Sequence, residues 1–163
     1  IIRPFNPFNQ WRSRRATLGA MFINPTQADV RRFFCGTYAK AQAGQPMEAM
    51  EALASLWIAE HPEYHANLAD LEAALALDCS PGAGRVNFFL HLALHLSVSE
   101  QCSIDQPHGI RQAVELLSRR HGSLHDAHHV AMECLSTMLW ESQHSGRPLD
   151  GHSYVAEVQR RAT

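Results

Sequence analysis

Val86-Asn-Phe-Phe-Leu-His-Leu-Ala-Leu-His-Leu-Ser-Val-Ser-Glu-Gln-Cys102 is the most apolar stretch of this chain, and its reading decides the fold. It shows no sustained alternation of apolar and polar residues, so it reads as a buried central helix and not as a strand. Asn87, His91, His95 and Ser97 interrupt it, which leaves it short of the apolar run needed to span a bilayer. With His91 at zero, helix geometry places His95 at about 40°, Cys102 at about 20°, Val98 at about −20° and Phe88 at about 60°. The two histidines therefore share the apolar stripe and face the interior. Glu100 falls near 180°, on the opposite side.

The same punctuation recurs outward from this helix. Thr26 followed by Asp29 is a capped start, and Val30, Phe33, Phe34 and Tyr38 form an apolar stripe that Gly44-Gln-Pro46 ends. Pro46 is expected in the first turn of the next helix, which His61-Pro62 stops or bends. A short helix is expected around residues 68–77, and Ser80-Pro-Gly-Ala-Gly84 reads as a loop. Asp105-Gln-Pro107 breaks the central helix; residues 109–121 are amphipathic and end at Gly122. Residues 125–143 form the longest helix, stopped by Gly146 and Pro148, and Asp150 starts a last one. The class is all-α: a compact bundle of five to seven helices around two long central ones.

The chain has 163 residues, 45% hydrophobic and 18% charged, with a net charge of −2 when histidines are neutral. This composition belongs to a globular domain and argues against a broad nucleic-acid-binding surface. Residues 1–20 carry Arg3, Arg12, Arg14 and Arg15 without an acidic residue. They are expected to lie upstream of a single domain at residues 21–163 that opens at Met21; a targeting segment and a basic arm are the alternatives. Cys35, Cys79, Cys102 and Cys134 form no Cys-x-x-Cys pair, and are expected to be reduced thiols of a cytoplasmic protein.

Eleven histidines are the functional clue. His61-Pro-Glu-Tyr-His65, His91-Leu-Ala-Leu-His95 and His125-Asp-Ala-His128-His129 each hold a His-x-x-x-His pair, a spacing that puts two imidazoles on one helix face. With His125 at zero, His129 lies at about 40°, His128 at about −60°, Met132 at about −20° and Glu133 at about 80°. That helix also turns histidines toward its core residues, with Glu133 at the edge. Four buried imidazoles converging on one place satisfy one another poorly, whereas a divalent cation engages several lone pairs at once. The first-choice ligands are His91, His95, His125 and His129, with His65, His128 and Glu133 in reserve. The His61–His65 pair is weakened by Pro62. The bland alternative is a set of hydrogen-bonded core histidines.

Met21-Phe22, Arg31-Arg32-Phe33-Phe34, His61-Pro-Glu-Tyr-His65, Phe89-Leu-His-Leu-Ala-Leu-His-Leu96, Glu100-Gln101 leading to Ile104-Asp-Gln-Pro107, and His128-His129 with Met132-Glu-Cys-Leu135 and Trp140 form a set of unusual motifs. Together they resemble domain-of-unknown-function family 1841, small proteins of proteobacteria. The resemblance covers Met21 to the C-terminus and implies no activity. DinB-like and haemerythrin-like bundles hold metals between helices and serve as architectural precedent only.

The resulting expectation is a cytoplasmic bacterial protein with a histidine-rich site for zinc, iron, nickel or manganese, capable of activating water if it is an enzyme. No P-loop or Gly-x-Gly-x-x-Gly motif occurs, so no nucleotide cofactor is expected. No membrane or nucleic-acid partner is expected, and a homo-oligomer is left open. The alternative is a non-enzymatic interaction or structural module that binds no metal. A cysteine–histidine nucleophile pair at Cys102 or Cys134 is a minor third reading.

Overall fold

The computed structural model describes residues 26–79 and 86–163. Residues 1–20, Met21 and the loop at 80–84 lie outside them. The described residues form eight α-helices and one 3-10 turn, with no strand. The chain is all-α.

Helix α1 (Gln27–Ala43) opens on a reciprocal cap: Thr26 Oγ1 accepts from Asp29 N at 3.1 Å, and Asp29 Oδ2 accepts from Thr26 N at 2.8 Å. Gly44 closes it in the left-handed region at φ 62°, a conformation that costs glycine little. Helix α2 (Ala49–Glu60) begins after Glu48, so Pro46 precedes the cap and does not sit in the first turn. The Pro62 ring, without an N–H, cannot continue α2. The helix stops at Glu60, His61 occupies its C-cap at φ −124° and ψ 64°, and Pro62–Tyr64 makes a 3-10 turn.

The short helix expected at 68–77 is α4 (Leu71–Ala76), and a further one-turn helix, α3 (His65–Leu68), precedes it. Asp70 divides them, because its carboxylate accepts from Ala73 N at 3.0 Å and starts a fresh helix. The added α3 takes the count beyond the expected five to seven.

Helix α5 (Phe88–Ile104) is the apolar stretch, capped by Asn87 Oδ1 accepting from Leu90 N at 3.0 Å. The remaining helices are α6 (Ile110–His121), α7 (Leu124–Ser145) and α8 (Gly151–Ala162). No helix among the described residues is long and apolar enough to cross a membrane.

The chain forms two compact units that divide between Leu96 and Ser97, within α5. In the first, α1 packs on α2 and α4. Phe34, Ala54, Leu68, Leu92 and Leu96 are almost fully buried in one apolar cluster. Arg31 is buried there too; its Nη1 donates to Leu75 O at 2.9 Å and its guanidinium lies over the Phe89 ring. These contacts hold the first half of α5 against the hairpin of α1 and α2.

In the second unit, α6, α7 and α8 pack on one another. Gly122 turns left-handed at φ 69° to end α6, and Ser123 then caps α7 through Asp126 N. Arg111 ends α5 by donating to the carbonyls of Cys102 and Ser103, each at 2.7 Å. The buried Tyr154 hydroxyl donates to Gln101 Oε1 at 3.0 Å and ties α8 to the second half of α5. Removing one member of a buried hydrogen bond leaves the other desolvated and unsatisfied. Tyr154→Phe is therefore expected to lower the unfolding free energy by about 1–3 kcal/mol. A urea midpoint indistinguishable from the parent's would refute this.

Candidate metal centre

Three imidazoles of the first unit converge through the same ring atom. His61 Nε2 lies 3.0 Å from His95 Nε2, His91 Nε2 lies 3.2 Å from His61 Nε2, and His95 Nε2 lies 3.2 Å from His91 Nε2. His91 and His95 come from the first half of α5, four residues apart on one face, as the helical period predicts. His61 arrives from the end of α2. His61 and His95 are buried, and His91 is half-buried.

Aromatic rings fix these imidazoles. Trp57 stacks on His95, with centroids 4.2 Å apart and planes 18° apart. Tyr64 stacks on His61 at 5.1 Å and 17°, and Phe88 stacks in turn on Tyr64 at 5.3 Å. The three imidazole planes are steeply inclined to one another, at 49°, 73° and 88°. They point at a common centre and do not stack.

On its far side His61 Nδ1 meets Glu63 Oε1 at 2.8 Å. That hydrogen bond holds the Glu63 carboxyl below its ordinary range. With Nδ1–H donated to the carboxylate, the lone pair of neutral His61 sits on Nε2, toward His91 and His95.

A single ring proton cannot serve all three edges of the triangle. A neutral imidazole with its proton on Nδ1 offers only an acceptor at Nε2. A proton on one of the other two Nε2 atoms can point along one edge, and lone pairs still face each other along another. A cation satisfies all three at once. At zinc–nitrogen distances of about 2.0–2.1 Å, tetrahedral geometry separates neighbouring ligand nitrogens by roughly 3.3 Å. The observed edges of 3.0–3.2 Å are close to that.

The other expected ligands are placed as follows. His65 does not join His61: its Nε2 donates to Ile58 O at 2.8 Å, and its ring lies against Tyr38. The apparent i, i+4 relation across Pro62 is therefore not a shared helix face. On α7, His125 and His129 are half-buried and lie side by side, with ring centroids 4.4 Å apart. His128 is buried on the same helix, and burial, followed by the neighbouring His125 and His129, lowers its pKa to about 3. Glu133 faces solvent and accepts from Arg161 Nη1 at 2.8 Å. Its place at the edge of the helix face carries it outward to a partner on α8.

His61 is the candidate ligand that the periodicity argument passed over. The signal that marks it is Pro62 itself, which ends α2 and turns the imidazole inward. The surroundings of Cys102 and Cys134 do not favour a nucleophilic thiol. Burial raises the thiols of Cys35 and Cys134, and that of Cys102 to about 11, so all three stay protonated near neutral pH.

No curated protein and no solved structure matches the chain. Residues 26–160 match the family model described as Domain of unknown function (DUF1841). They take in the His61, His91 and His95 triangle and the α7 histidines, and the chain is a member of that family.

Proposed function

We propose that this protein binds a divalent transition-metal ion through the Nε2 atoms of His61, His91 and His95. The observation that carries the reading is their mutual approach at 3.0–3.2 Å in an aromatic-walled site. Three neutral nitrogen donors suit zinc, iron or nickel, and suit manganese less, since it prefers oxygen ligands. Zinc is the first choice because it takes imidazole nitrogens in tetrahedral sites of this edge length. Three neutral ligands leave the ion its full charge, and such an ion with an open position acidifies bound water. Hydrolytic or hydration chemistry is therefore the reaction class that the donor set favours.

The test is metal analysis of the full chain produced without a histidine tag. One ion per chain, removed by chelator with loss of thermal stability, is the expected result. Sub-stoichiometric metal with unchanged stability in chelator would instead assign the histidines a hydrogen-bonded structural role. His125, His129 and His128 are the donors that the sequence adds to this set. The double variant His125→Ala/His129→Ala measures their share: full stoichiometry and affinity leave the ion to His61, His91 and His95, and a loss brings the α7 pair into the donor count.

A further inference from the structure

The three ligands are not held equally. His91 and His95 ride on a regular helix, and Trp57 clamps the His95 ring. His61 follows the end of α2, in the non-helical conformation that joins α2 to the 3-10 turn. No helical register sets its ring orientation or its tautomer. Pro62 starts a tight turn, and that turn brings the residue at position 63 back against the imidazole. The residue there is a glutamate whose Oε1 lies 2.8 Å from His61 Nδ1. Its side chain is 56% exposed, and among the described residues no lysine or arginine forms an ion pair with it.

We infer that Glu63 is the positioning residue of this centre, holding His61 in the tautomer whose Nε2 lone pair faces His91 and His95. The inference rests on the reading of these histidines as metal ligands. A carboxylate that accepts the second ring proton of a ligating histidine fixes the ring's orientation and raises its basicity. Loss of such a partner characteristically weakens metal binding by about 10–100-fold. Glutamate at the second position after the histidine suits this role, because the turn sets its approach. An exposed side chain of this kind contributes little to the fold.

The experiment titrates the metal-free full chain with zinc against a competing chelator, and with cobalt followed by its visible absorption. The parent is compared with Glu63→Ala, Glu63→Gln and Glu72→Ala; the last removes an equal charge from exposed α4. Glu63→Ala is expected to weaken zinc binding by about 10–100-fold and to shift the cobalt bands. Glu63→Gln should recover most of that loss, because its amide oxygen still accepts from Nδ1–H. Glu72→Ala should bind like the parent, and all four metal-free proteins should melt together.

Zinc affinity of Glu63→Ala within about twofold of the parent's would overturn the positioning role and leave the metal reading standing. An equal loss in Glu63→Ala and Glu72→Ala, or no recovery in Glu63→Gln, would also overturn it. A parent chain that binds neither metal removes the reading on which the inference depends.

Discussion

His95→Ala is expected to weaken zinc binding by about 100-fold or more. Structural zinc sites carry apparent binding free energies of about 10–16 kcal/mol, or roughly 3 kcal/mol for each of four ligands, and every 1.4 kcal/mol is tenfold in affinity. His95 is the member with most to lose: it is fully buried and Trp57 holds its ring in place. Alanine there also leaves a cavity beneath Trp57, so His91→Ala is the companion variant. His91 is half-buried at the same triangle, and its removal disturbs the core less. Zinc at about 100 times its dissociation constant stabilises the parent by about 2.7 kcal/mol. Neither variant should gain comparably at that concentration. Retention of one ion per chain by both would dispose of the three-histidine centre.

The legible half of this centre was the half written in a period. His91 and His95 lie four residues apart in an uninterrupted helix, and one geometric rule gives their common direction. His61 could not be found in that way. Its direction depends on where Pro62 ends α2 and on how the 3-10 turn folds back, and neither follows from periodicity. The same limit explains His65, which matches His61 in spacing but turns to the carbonyl of Ile58. Glu133 shows a further limit. The helix angle put it at an edge without revealing that Arg161, on another helix, takes its carboxylate.

The fold was legible for a related reason. Helix ends are chosen by local chemistry, and Thr26, Asn87, Ser123 and Asp150 each accept a backbone N–H where their helices begin. Asp70 does so as well, at the start of α4. α3 spans four residues, and over so short a segment periodicity gives no signal.

His128 should make the metal-free protein acid-labile well above the range in which carboxylates titrate. Its imidazole is 3% exposed on α7, and burial, more than the neighbouring His125 and His129, lowers its pKa from 6.5 to about 3. Well above pH 6.5 His128 is neutral in both folded and unfolded chains, so its stability contribution is fully present. As the pH falls below about 6.5, the unfolded chain binds a proton that the folded chain refuses. Stability then declines by up to about 1.4 kcal/mol per pH unit. The decline continues until the folded state itself protonates, near the lowered value. The carboxylates of Asp29, Glu51, Asp105 and Glu157 are also lowered. Their stabilisation is lost only as the pH falls through roughly 4 and below, so between about pH 6.5 and 5 the response comes from the histidines and from Glu100, whose carboxyl burial raises. Urea unfolding of the metal-free chain across that interval counts the protons taken up on unfolding. His128→Leu should take up about one fewer than the parent, because leucine fills much of the same buried volume and cannot titrate. An unchanged pH slope in His128→Leu would show that other groups govern the acid response. A reduced slope would show that burying one neutral imidazole on α7 makes folding depend on pH in the range where a histidine-held metal is also released.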